Sequence, residues 1–375
     1  MNTDDLTIRL VQGRTLAHAA LPASGMRRAS KLSAKYQREG YMQAFDATTL
    51  WYDAIWRDGI VHLVCPKLNN LKAEVQKGAF TLDGMPVRIK RLRRFYRHDI
   101  IELPFTTCPT EVRLKAFGIT ISSPVNGQET APFAGLNAAL CLSKNNDLRW
   151  ITDFAQFHVE QHGLEALILM DNGSTDYGIS DIEDALSLTD LKRIMVVSTP
   201  WPYGPRGRAP YARTEKYLQT ALFNVLRLRW LGQARAVLSC DIDELIHTPG
   251  TTIFDMALKS WGGFVRVPGY WRYPDPEAAD PSLHASHTHL KPSDKPCPTK
   301  WCINPAGPLG GFQWDTHLLE RLPLPSLFTN KQGKFWHCRS TTTGWKSNRN
   351  AKQETGLQPD RETAEVLAQV FNPPA

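Results

Sequence analysis

The sequence predicts an α/β protein: a mostly parallel sheet flanked by helices, preceded by a β-rich domain. Two textures and one motif lead there. Before Pro132 the apolar residues fall in short runs with close turns, and after it apolar runs of strand length alternate with runs at helical spacing. Alternating strands and helices bury both faces of a parallel sheet. The motif is Asp241-Ile242-Asp243, which follows the apolar run Ala236-Val237-Leu238 and sets two carboxylates where a strand leaves such a sheet.

Taken in order, residues 1 to 45 carry Arg27, Arg28, Lys31, Lys35 and Arg38 with few periodic apolar positions, and read as a loose arm or weak helix. Short β-type runs follow at Ile60–Val64, Phe80–Leu82, Val87–Ile89, Ile100–Leu103 and Val112–Leu114, and Asp83-Gly84 between two of them is a hairpin turn. Pro124 to Gly127 and Pro132 mark a boundary. Buried strands are expected at Ala138–Ser143, Ala166–Met170, Ile194–Val197 and Ala236–Leu238. Between them, Asp147 to His162 has helical spacing and stops at Gly163, and Leu218 to Leu231 reads as an amphipathic helix closed by Gly232. Beyond Thr251 the chain is rich in Pro, Gly and Trp and reads as long irregular loops, which hold substrate on a rigid scaffold. A last helix runs from Asp360, its cap, to Phe371. The expected division is an N-terminal basic arm and β-rich domain (1–132), an α/β domain (133–350) and a C-terminal helical tail (351–375).

Composition narrows the partners. The net charge of +7 and pI near 9.0 favour phosphates, nucleic acid or an anionic membrane surface. No stretch reaches the roughly 18–20 apolar residues of a membrane span. Met1 to Asp5 lacks the features of a secretion signal, and the seven cysteines are scattered. The expectation is a cytoplasmic protein, with a peripheral place on the inner membrane face left open. Nucleic acid is not expected, because no helix-turn-helix, RNA-recognition or zinc-finger pattern is present.

Strand alternation puts Asp241 and Asp243 on one face, and paired hard oxygen ligands can hold a divalent cation and through it a diphosphate. Met170-Asp171-Asn172-Gly173-Ser174-Thr175-Asp176 is the second informative run. A carboxylate leaving a strand into such a turn can accept from a nucleobase or ribose, or the run can be a plain strand-to-helix connection.

Together these segments resemble a glycosyltransferase of the family 2 or family 92 type. The likeness rests on Lys144-Asn145-Asn146, Trp150-Ile151, Phe157-His158, Asp171 to Asp176, Gln219 and Asn224, Asp241 to Glu244, Lys300 to Pro305 before His317, and Trp336 to Ser340 before Lys346 and Arg349. It covers roughly residues 136 to 350. It implies the nucleotide-diphosphosugar (GT-A) fold and transfer of a hexose from a UDP-sugar, with inversion, to a glycan or lipid-linked acceptor. It implies that Lys144, Asp171, Asn172, Ser174, Asp176 and Asp241 hold the nucleotide, that Asp241, Asp243 and His337 hold Mn²⁺ or Mg²⁺, and that Glu244 is a supporting or capping residue. Inversion needs a carboxylate to take the acceptor's proton, for which Asp275 and Asp315 are the candidates.

Two further clusters stand outside that set. His284, His287, His289, Cys297 and Cys302 offer zinc-type ligands, but their spacing does not match a paired-cysteine site, and they read as histidines of a flexible acceptor loop. The basic run Arg88, Lys90, Arg91, Arg93, Arg94 and Arg97 beside Phe95 and Tyr96 suits anionic lipid or a lipid-linked diphosphate as well as it suits a solvated strand face. The rival functions are a nucleotidyltransferase of the same fold and a basic, non-catalytic glycan- or nucleic-acid-binding protein.

Overall fold

The computed structural model describes residues 9–11, 14–210, 215–341, 343 and 354–371; Lys346, Arg349 and Met1 to Asp5 lie outside them. The chain is mixed α/β. Its N-terminal part holds β1 (Asp53–Arg57), β2 (Ile60–Pro66), β3 (Ala79–Leu82), β4 (Met85–Val87), β5 (Arg91–Arg94), β6 (His98–Pro104), β7 (Glu111–Ala116), β8 (Ile119–Pro124) and β9 (Asn126–Gly127). These make a five-stranded sheet, β9-β1-β2-β6-β5, and a four-stranded one, β8-β7-β3-β4. The two share a core in which Leu63 and Ile101 meet Phe80, Leu82, Val112 and Leu114. The Asp83-Gly84 hairpin forms as expected, both residues at positive φ.

The second part is built on an eight-stranded sheet. Its strands are β10 (Asn137–Ser143), β11 (Ala166–Asp171), β12 (Arg193–Ser198), β13 (Ala236–Ser239), β14 (Glu244–His247), β15 (Phe264–Arg272), β16 (Cys297–Ile303) and β17 (Lys334–Cys338), in the order β12-β11-β10-β13-β16-β15-β17-β14. The four strands expected from their apolar runs are mutually parallel. The expected irregular region beyond Thr251 instead supplies β15, β16 and β17, which make the sheet mixed: β16 is antiparallel to β13 and β15, and β14 to β17. These strands carry Arg266, Lys300 and His337 inside the sheet, and such polar interruptions make a strand read as loop.

Side chains on the parallel strands alternate between two layers. Ala138, Leu140 and Leu142 face one core with Ile168 and Val237; Ala139 and Cys141 face the other with Leu167 and Leu238. The second layer holds α1 (Leu148–His162), α2 (Ile179–Ser187) and α4 (Ile253–Lys259). Asp147 caps α1 by accepting from the Arg149 N–H at 2.9 Å, and Gly163 ends it at φ 64°.

The first layer is α3 (Leu218–Arg229), and every one of its residues is buried. The amphipathic expectation fails here for a structural reason. One side of α3 meets the parallel strands and the other meets Tyr52, Ile55, Val64 and Ile100 of the N-terminal sheet, so no side faces water. The helix ends at Arg229, before Gly232. Nor are the described residues of the arm loose: Arg28, 1% exposed, donates to the carbonyls of Lys67, Asp46 and Thr49, and the Val11 N–H bonds Ile194 at the edge of β12. The final helix, α5 (Arg361–Phe371), starts at Asp360 as expected. Among the described residues no helix is long and apolar enough to cross a membrane.

Candidate functional site

Chain order along the parallel strands reverses between β10 and β13, so the crevice at their carboxyl ends is the switch point where ligands bind in open α/β sheets. Lys144 to Asn146 leave β10 on one side, and Cys240 to Asp243 leave β13 on the other.

The strand expectation for Asp-x-Asp is corrected here. β13 ends at Ser239, and residues 241–244 form a turn closed by the Glu244 N–H on the Asp241 carbonyl at 3.0 Å. Alternation therefore does not apply, and the two aspartates part company. Asp241 faces Lys300 of β16 at 2.5 Å, with Gln219 of α3 at 3.5 Å. Asp243 faces His337 of β17, Oδ2 to Nε2 at 3.0 Å. Between them Glu244 reaches Lys300 at 2.8 Å and accepts from the Asp241 N–H at 2.8 Å, and its other oxygen lies 3.9 Å from His337 Nδ1.

Asp243, Glu244 and His337 bring their ligand atoms within 4.8 Å of one another. Two carboxylate oxygens and an imidazole nitrogen are a donor set for Mn²⁺, whose preferences span oxygen and nitrogen, and less so for Mg²⁺. Glu244, expected as a supporting residue, stands in the cluster, whereas Asp241 is turned to Lys300. The sheet register explains the meeting: Glu244 pairs with His337 across β14 and β17, and His337 with Trp271 across β17 and β15. The Trp271 ring stacks on His337 with centroids 4.0 Å apart and fixes the imidazole's plane.

Burial opposes the charge on His337, yet Asp243, a contact with Cys297 and Glu244 outweigh it and raise its pKa to about 10. Burial likewise opposes charge on Lys300, but Asp241 and Glu244 hold it protonated, well above the usual lysine range. Burial raises the Glu244 carboxyl above its ordinary value against the pull of Lys300.

The loop after β11 is wired to the loop after β10. Asp171 accepts from Gly173 N–H at 3.2 Å, Ser174 N–H at 3.1 Å and Ser174 Oγ at 2.5 Å, and is 6% exposed. Its oxygens are thus engaged in its own turn, and the helix that follows is capped at Gly178, not at Ser174 or Asp176. Ser174 Oγ in turn accepts from Asn145 N–H, and the Thr175 N–H donates to Asn145 Oδ1. Asn172 is buried and donates to the Thr199 and Trp201 carbonyls. Asp176 accepts from Thr175 and stays exposed, and Lys144 is half-exposed at the crevice.

Neither proton-acceptor candidate is a member of the metal-type cluster. Asp275 accepts from the Glu277 N–H and lines a surface cavity with Thr288 and His289. Asp315 accepts from Thr220 Oγ1 at 3.1 Å and pairs with Arg97 at 3.5 Å; through His317 it shares surroundings with Asp241 and Lys300.

The zinc-type set does not come together as a ligand cluster, and two of its histidines are core residues. His284 and His287 are fully buried. His284 Nε2 donates to the Ile242 carbonyl at 2.9 Å and so fastens the Asp-x-Asp turn, while His287 Nε2 accepts from the Ser340 N–H. His289 bonds Thr288.

No protein-family model and no curated protein matches this chain. Sequence reasoning missed Lys300 as the partner of Asp241 and Trp271 as the support of His337. A lysine amid the apolar residues of Cys297–Ile303 was the available signal for the first.

Proposed function

We propose that this chain is a metal-dependent glycosyltransferase of the GT-A type, moving a hexose from a UDP-sugar to a glycan or lipid-linked acceptor with inversion. The observation that carries the reading is the Asp243–Glu244–His337 cluster beside the switch-point crevice. These three residues would hold Mn²⁺, which when bound neutralises charge on the departing diphosphate. Trp271 and the Glu244–Lys300 contact keep their side chains oriented before the ion arrives. Asn145 and Lys144 border the crevice where a nucleotide would lie. Asp315 is the favoured proton-acceptor candidate, since it acts on His317 together with Asp241 and Lys300.

The test is a screen of nucleotide sugars for thermal stabilisation and turnover, with Mn²⁺ and with chelator. We expect one UDP-sugar to stabilise the protein only with metal, and release of nucleoside diphosphate rather than pyrophosphate. Asp243→Asn and His337→Ala should each lower turnover about 100-fold or more with the fold intact. Metal-independent binding that survives Asp243→Asn, or pyrophosphate release, would overturn the proposal.

A further inference from the structure

Tyr96, Trp261, Leu324 and Leu327 are 65%, 88%, 68% and 76% exposed, and what sets them apart from scattered exposed apolar residues is that their segments are linked. Contacts link the segments that carry them, and Trp261 and Leu327 line one surface cavity. The Tyr96 N–H donates to Glu320, and Arg321 donates to the Arg94 carbonyl at 2.6 Å. A turn from Leu324 to Leu327 follows, and Phe328 at its end stacks on Trp261 at 6.2 Å.

The exposed charge around these side chains is mainly positive. Residues 90–97, 256–264 and 321–331 contain no aspartate or glutamate, although 37 of the 375 residues are acidic. Lys90, Arg91, Arg94, Lys259, Arg321 and Lys331 are all exposed there. Three acids border it: Asp255 pairs with Arg235 at 2.6 Å, Glu320 accepts from the Tyr96 N–H and lies 4.0 Å from Arg321, and Glu215, 1% exposed, lines a cavity with Arg94, Tyr96 and Arg321. Arg93 and Arg97 turn inward to Glu102 and Asp315.

We propose that this surface seats the protein on an anionic lipid bilayer. Trp261, Leu324 and Leu327 would enter the boundary between headgroups and acyl chains, with Tyr96 at headgroup level and the six cations over the acidic headgroups. Aromatic rings with a polar edge settle at that depth, and long basic side chains reach back from it to the charged surface. Aliphatic tips among mainly positive charge fit a negatively charged apolar layer. Trp261 precedes β15 at the end opposite Trp271, so the bilayer contact leaves the metal-type cluster uncovered.

The experiment is co-sedimentation of the full chain with vesicles of phosphatidylcholine and of phosphatidylcholine with phosphatidylserine. Binding is expected to the second kind only, weakening as salt rises. Arg91→Gln, Arg94→Gln and Arg321→Gln should each weaken it about fivefold. Leu324→Ser combined with Leu327→Ser should abolish it at an unchanged melting temperature, while Asp243→Asn leaves it intact. Equal binding to both vesicle kinds, wild-type binding by the Leu324/Leu327 double variant, or displacement by free glycerophosphoserine would overturn the proposal.

Discussion

Lys300 is a lysine almost entirely out of water, held between Asp241 and Glu244. Removing one partner of a buried pair strands the others' charge, so Lys300→Met should cost about 3–5 kcal/mol. Urea unfolding measures it; a loss under 1 kcal/mol would mean that water reaches the pair. Asp-x-Asp is common by chance, and Asp241 and Asp243 were legible only by their place after an apolar run. Their division of labour was not: it depends on a turn that sends one to β16 and the other to β17. Arg28 is opaque for a similar reason, because arginines are normally solvated and nothing local announces three waiting carbonyls.

At the scale of elements, β15 and β17 must lie close for Trp271 to cover His337. Gly269 permits it, since a Cβ there would meet the Phe335 ring at 2.0 Å. Gly269→Ala should therefore destabilise by about 1–3 kcal/mol or more, and should weaken Mn²⁺ binding in a metal titration. Unchanged Mn²⁺ affinity would separate the strand spacing from the site. Elsewhere β14 is an edge strand, and α1 covers its open side: His158 Nε2 accepts from the Ile246 N–H and His162 Nε2 donates to the Ile246 carbonyl. The helix itself was readable from its spacing, its Asp147 cap and Gly163. Its role as a lid on a sheet edge was not, because β14 is four residues following directly on two aspartates.

Across the whole molecule, burial lowers the pKa of His62, His162 and His317 to about 4 and of His98, His158 and His287 to about 3, from an ordinary 6.5. The unfolded chain binds protons there that the folded one refuses. Stability should fall as pH drops from about 6.5 towards 4, by about 1.4 kcal/mol per pH unit for each such group. His337 acts oppositely: its contribution is fully present below about 6.5 and is lost as pH rises through about 10. Melting temperatures from pH 7 to 4 check the sum, and a flat profile would contradict it.

The expected boundary at Pro132 was legible as a change of texture, yet the core crosses it. Tyr52 and Ile55 pack on α3 together with Leu140 and Ile168, so we expect a single unfolding transition by circular dichroism and tryptophan fluorescence. A fragment of residues 1–132 would expose the side of its five-stranded sheet that α3 covers.

Because α3 is walled in on both sides, the two parts of this chain are not interchangeable modules. A chimera joining this α/β part to a foreign β domain would put an unmatched surface against α3, and would disturb the same helix that presents Gln219 to Asp241. Drift on either side of Pro132 is thus constrained by the other, and a substitution in the β domain can be felt at the crevice without touching it.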